Sequence, residues 1–269
     1  ERGEFFHAVN GIHLTRDNFL DLLYPTTATL TLEMADFNGT TVTPNLKQVT
    51  LERLDYEHSA IFLEKTFTSG ANNIGYLVYN NDFSRNYIND LNETFLSFKN
   101  QSVNELVLDL RYNIGGGSFA KYVSQIAAMI TGQFTDEVVI KEEWNTKAQP
   151  WFLANQPDSL VTKFPLKLNQ TANINSLNLS DVYLILNGNN FTGSSAIELL
   201  INSLRPHINV HVIGNSTSGN NTGSITLYNS EDYDFANRNE THTVALQPIV
   251  LSFLNKNDET YENGFTPNV

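Results

Sequence analysis

The chain has 269 residues, 41% hydrophobic and 17% charged, and a formal net charge of −13. This composition suits a folded chain rather than a disordered one, and so acidic a surface disfavours nucleic acid and anionic membrane as partners. Cysteine is absent, which excludes disulfides, a cysteine nucleophile and thiolate metal sites.

The first third reads as a small β-rich module. Residues 4–9 form a short strand and Asn10-Gly11 a turn. Residues 17–23 carry the apolar spacing of one or two helical turns, closed by Pro25. Residues 28–33 and 49–54 alternate as strands do, with Asn38-Gly39 as the turn between them.

From Ile74 the pattern changes. Residues 74–79, 106–111, 182–186 and 208–213 are apolar runs of strand length. Between them, apolar residues recur at helical spacing: Ile88, Leu91, Phe95 and Phe98; then Phe119, Tyr122, Val123, Ile126 and Ile130; then Ile197, Leu200, Ile201 and Leu204. Strands alternating with helices predict an α/β core with a largely parallel sheet. Residues 133–180, with Trp144, Pro150 and Trp151, break this rhythm and read as an insertion over one face of the core. No apolar run approaches the ~20 residues that span a bilayer. The chain opens at Glu1 with neither an initiator Met nor a signal peptide, so it is expected to be a processed or truncated product.

Two strand-to-helix loops stand out, because ligands of open α/β sheets bind at the carboxyl ends of the strands. The first runs Asp109-Leu110-Arg111-Tyr112-Asn113-Ile114-Gly115-Gly116-Gly117. Its glycines leave amide N–H groups free before a helix N-terminus, which suits an anion or a developing oxyanion; the alternative is a plain tight turn. The second runs from Asn187 through Gly193-Ser194-Ser195-Ala196. A nucleophile at Ser195 would gain from the positive helix end, and the Ala196 N–H can face the same oxyanion. The alternative is that Ser194 or Ser195 is only an N-cap.

Together the loops resemble the C-terminal-processing (tail-specific) serine peptidases. Residues 106–116 are similar to that family's Asp-Leu-Arg-Asn-Asn-Pro-Gly-Gly segment, and Gly193-Ser194-Ser195-Ala196-Ile197-Glu198 to its Ser-Ala-Ser-Ala-Ser-Glu motif. Residues 210–220 resemble its Val-Val-Gly-Glu-x-Thr-x-Gly-Lys stretch, and residues 262–268 the Gly-hydrophobic-x-Pro-Asp segment that ends its core. Residues 2–11 resemble the Gly-Asp-x-Ile-x-x-Val-Asn-Gly stretch of a PDZ domain.

The resemblance implies a partial PDZ-like domain over residues 1–66 and a ClpP/crotonase-like α/β peptidase core over residues 67–269. It implies Ser195 as nucleophile and an oxyanion hole from Ala196 with Gly115 or Gly116. It also implies a polypeptide substrate. The scattered His and carboxylates form no recognisable metal spacing, so no metal or other cofactor is expected. The early PDZ-like segment, with Ile-Asn-Ser-Leu-Arg-Pro at residues 201–206, is similar to exported lipoprotein members of Bacteroidetes-type bacteria. On that basis the protein is expected in the periplasm or at the outer membrane, tethered only through a lipid anchor before Glu1.

One departure matters. The family's general-base lysine lies 25 positions after the serine, and that position holds Asn220 here. A serine hydroxyl is a weak nucleophile until something accepts its proton, and an amide has no usable basicity near neutral pH. His211 lies in a strand, His207 follows the helix-stopping Pro206 and is expected at the surface, and Lys121 is expected in solvent. None is expected to stand in for the lysine. Three readings follow: a serine endopeptidase using Ser195, a pseudo-peptidase that holds extended polypeptide without cleaving it, and a non-peptidase enzyme on a crotonase-like core.

Overall fold

A computed structural model of the protein describes residues 3–54, 59–113, 120–187 and 194–269. The chain divides into two compact units, residues 1–58 and 59–269. In the first, β1 (Phe5–Val9), β2 (Ile12–His13), α1 (Phe19–Leu23), β3 (Thr29–Phe37) and β4 (Val42–Glu52) follow in order. The four strands form one antiparallel sheet in the order β2-β1-β3-β4. The β3–β4 hairpin turns at Asn38, whose Oδ1 accepts from the N–H groups of Thr40 and Thr41. An asparagine side chain closing its own turn in this way makes Asn-Gly a strong hairpin signal.

The second unit opens with the hairpin β5 (Ile61–Ser69) and β6 (Asn72–Tyr79). It continues through α2 (Ile88–Asn100), β7 (Glu105–Asp109), α3 (Ala120–Ile130), β8 (Val138–Trp144), α4 (Gln149–Asn155) and β9 (Val161–Lys163). Then come β10 (Asp181–Ile185), α5 (Ser195–Leu204), β11 (Asn209–Ile213), β12 (Thr222–Ser224) and β13 (Ile249–Leu254). A five-stranded sheet runs β11-β10-β7-β6-β5 and is parallel except for β5. Alternate residues on its central strands, among them Leu77, Leu106, Leu108, Val182, Leu184 and Val212, are buried with Phe95 and Phe98 of α2, Ile126 and Met129 of α3, and Ile197 and Ile201 of α5 in one core. The boundary expected between residues 66 and 67 falls inside β5, whose mostly exposed side chains carry no apolar alternation to announce a strand.

Residues 133–180 are not a mere excursion from the core. β8 and β9 join β12 and β13 in an antiparallel sheet of order β12-β13-β8-β9. That pairing brings together strands more than a hundred residues apart, such as Trp144 with Leu251, which no local pattern can signal. The surface placement expected of His207 is also corrected. Its side chain is fully buried, with the rings of Phe134 and Phe164 at 4.8 and 4.7 Å. Its Nε2 lies 3.2 Å from the Val138 carbonyl and its Nδ1 3.2 Å from Lys256 Nζ. Because Nδ1 must accept from the ammonium, Nε2 carries the proton and donates to the carbonyl. Burial first, and then the Lys256 charge, lower the His207 pKa. Among the described residues, no helix is long and apolar enough to cross a membrane.

Candidate active site

The two loops singled out in the sequence follow β7 and β10, at the same end of the parallel sheet. Residues 114–119 and 188–193, and with them Gly115 and Gly116, lie outside the described residues. What flanks them is well defined. Asp109, wholly buried at the end of β7, accepts from Tyr76 Oη at 2.7 Å and is gripped by Arg111 through Nε at 2.9 Å and Nη2 at 2.7 Å. Burial raises the Asp109 pKa, but the hydrogen bonds from Arg111 and Tyr76 outweigh it, and the net shift is downward. The buried Asn113 donates from Nδ2 to the Asn81 carbonyl and accepts at Oδ1 from the Ser194 hydroxyl at 2.6 Å.

α5 starts at Ser195, and its cap is Ser194, with extended φ and ψ of −84° and 155°. Ser194 Oγ accepts from the Ile197 N–H at 3.4 Å, and the Ser194 carbonyl takes the N–H groups of Ile197 and Glu198. Capping is therefore the work of Ser194, and Ser195 is released from it. The half-buried Ser195 makes no intramolecular hydrogen bond through Oγ among the described residues. First-turn N–H groups have no partner within their own helix, so those of Ser195 and Ala196 keep the positive end of α5 available beside that hydroxyl.

Glu198, one turn further along α5, is wholly buried. Its carboxylate accepts from the N–H of Gly219 at 2.5 Å and of Asn220 at 2.9 Å. This pair of bonds fixes the loop carrying Asn220 against the helix carrying Ser195. A second clamp comes from the C-terminal segment. Thr217 donates its N–H to the Phe265 carbonyl at 3.0 Å, and Phe265 returns its N–H to Thr217 Oγ1 at 2.8 Å. The backbones meet so closely that a Cβ on Gly219 would lie 2.1 Å from the Glu262 carbonyl oxygen, and one on Gly264 2.1 Å from that of Thr217. Both glycines have positive φ, +86° and +70°, so glycine is required there on two counts.

Ser195, Ala196 and Asn220 line one cavity of about 830 Å³. Its walls also carry Glu142 and Trp144 of β8, Leu251 and Phe253 of β13, and Tyr261. Asn220 Oδ1 is engaged by the Thr222 hydroxyl at 3.0 Å. The Tyr261 hydroxyl is buried without a hydrogen-bond partner among the described residues, and burial followed by the Glu198 charge pushes its pKa up. Burial also raises the Glu142 pKa, opposed by the Trp144 indole N–H. Of the residues singled out in the sequence, the structure thus brings together Ser195, Ala196 and Asn220. His211 is elsewhere, stacked on Tyr183 and bonded to Asp181. The N-cap reading raised for Ser194 or Ser195 falls to Ser194, whereas sequence reasoning gave no role to Glu198, Asn113 or Tyr261. The one available signal was Glu198, three residues after Ser195 and so on the same helix face.

The profile of peptidase family S41 matches residues 73–269. The chain belongs to peptidase family S41. Solved structures agree. A Bacteroides fragilis protein assigned as an S41 protease is 25% identical with a TM-score of 0.67, over 99% of this chain and 65% of its own. The photosystem II D1 C-terminal processing protease shares the fold at 17% identity and a TM-score of 0.54, over 99% of this chain and 62% of its own. The chain thus spans less than two thirds of the length of either. No curated protein matches it. The S41 match covers both loops and the entire wall of the cavity.

Proposed function

We propose that residues 59–269 are the core of a serine-type endopeptidase of the C-terminal-processing kind, which acts on exported polypeptides with Ser195 as nucleophile. The observation that carries this reading is the shared cavity of Ser195 and Asn220, with Ser195 Oγ at the start of α5 and not engaged by any of the described residues. In the reaction Ser195 Oγ attacks the scissile carbonyl carbon, and the new oxyanion takes hydrogen bonds from the Ala196 N–H and from Gly115 or Gly116. Collapse of the adduct then breaks the C–N bond. The hydroxyl proton must leave Oγ in the first step and reach the departing amine in the second. Asn220 occupies the place from which the base acts, and its amide can orient the hydroxyl but not take the proton. Residues 1–58 are read as a partial PDZ-like module, and the protein as an exported lipoprotein of a Gram-negative bacterium.

A second reading is supported by Asn220 itself, whose Oδ1 is already satisfied by Thr222. On that reading the cleft binds extended polypeptide and leaves it uncut. Asn220→Lys separates the two. The variant is expected to cleave unfolded casein ~10²-fold or more faster than the parent, in line with the ~10²–10⁴-fold worth of general-base assistance. A serine-reactive phosphonate should then label Ser195, and Ser195→Ala in the same background should abolish cleavage. An Asn220→Lys protein that is folded, inert and unlabelled at Ser195 overturns the peptidase reading.

A further inference from the structure

We propose that Glu142 and Trp144 form a subsite that receives a basic side chain, lysine or arginine, of a polypeptide held in the cleft. The proposal rests on the reading of the cavity around Ser195 as a polypeptide site. Glu142 and Trp144 lie two apart on β8, so strand alternation places both on the face that lines the cavity, while Glu143 is exposed. Opposite Glu142 in the ladder is Phe253 of β13, which lines the same cavity.

Glu142 is the only charged residue among the described residues of the lining. Among the described residues its carboxylate has one intramolecular partner, the Trp144 indole Nε1–H at 3.2 Å, and forms no ion pair. The other acids that carry structure here are compensated: Asp109 by Arg111, and Glu198 by two backbone N–H groups. A half-buried carboxylate with a single neutral donor is an unfilled electrostatic demand, and burial accordingly favours its protonated form. An ammonium or guanidinium at hydrogen-bond distance would meet that demand.

The surroundings suit the rest of such a side chain. The Trp144 ring is held by Phe152 at 4.5 Å between centroids, which leaves a fixed aromatic surface beside the acid. Ile249, Leu251 and Phe253 supply apolar wall for a methylene stem. An acidic side chain in the same place would meet like charge across a partly desolvated gap. The subsite therefore selects in both directions.

Binding tests this without requiring turnover. The full chain carrying Ser195→Ala is titrated into fluorescein-labelled alanine–serine decapeptides that contain one central lysine, norleucine or glutamate, and anisotropy is read at pH 7.5. The lysine peptide is expected to bind at least tenfold more tightly than the norleucine peptide, and the glutamate peptide most weakly. Glu142→Gln should erase the lysine preference, and Glu142→Lys should transfer it to glutamate. Equal binding of lysine and norleucine peptides, or a preference that survives Glu142→Gln, overturns the subsite and leaves the polypeptide reading standing. Failure of every peptide to bind overturns both.

Discussion

The Ser194 hydroxyl donates to Oδ1 of Asn113 at 2.6 Å, so one buried hydrogen bond joins the loop before α5 to the loop after β7. Asn113 anchors in turn to the Asn81 carbonyl. Asn113→Ala leaves the Ser194 hydroxyl without its acceptor and is expected to destabilise the protein by about 1–3 kcal/mol. In an Asn220→Lys background it should also slow phosphonate labelling of Ser195 at least tenfold. Urea unfolding and a labelling time course check the two effects. Unchanged labelling would show that the bond does not position Ser195.

Glu198 governs the other side of the cleft. Glu198→Gln keeps one acceptor oxygen but loses the charge and one of the two bonds to the residue 219–220 backbone. A cost of about 1.5–3 kcal/mol follows for a charge-assisted bond inside the protein. In the Asn220→Lys background, kcat for casein cleavage should fall more than KM rises, because the loop carrying position 220 is loosened rather than the binding wall.

Gly219→Ala places a methyl group against the Glu262 carbonyl and forces a left-handed backbone on an L residue. It is expected to lower stability by more than the roughly 1–3 kcal/mol usual for such strain, since the clash is with backbone that cannot rotate away. Thermal unfolding should report a drop of several degrees, and Gly264→Ala should match it.

His207 makes stability depend on pH. Burial, and then the Lys256 charge, hold its folded pKa below the ordinary histidine value of 6.5, so the unfolded chain binds the extra proton first. Its contribution is fully present above the unfolded value and is lost as pH falls from about 6.5 towards the lower folded value. The urea midpoint should therefore decline between pH 7.5 and 5.5, and less so in His207→Gln.

The parallel sheet, its three helices and the two loops could be read from the sequence because each rests on local periodicity, as the buried runs of β7 and β10 illustrate. β8, β9, β12 and β13 could not, since their pairing joins residues such as Glu142 and Phe253 across the chain. The same limit hid most of the site. Ser195 and Asn220 stood out through spacing and motif, whereas Asn113 and Tyr261 acquire meaning only from what they face. His207 was misplaced because Pro206 marks a helix end, and a helix end can lie under aromatic rings as readily as in water.

The segment after β13 has one more consequence. Asn268 is stitched to β11, accepting from the Val212 N–H at 2.6 Å and donating to the Val210 carbonyl at 3.2 Å, while Phe265 locks Thr217. On the ribosome, therefore, the sheet and the helix carrying Ser195 emerge before the residues that shape the opposing loop. The wall of the cleft around residues 217–220 gains its Phe265 clamp only once the chain has been made past that residue.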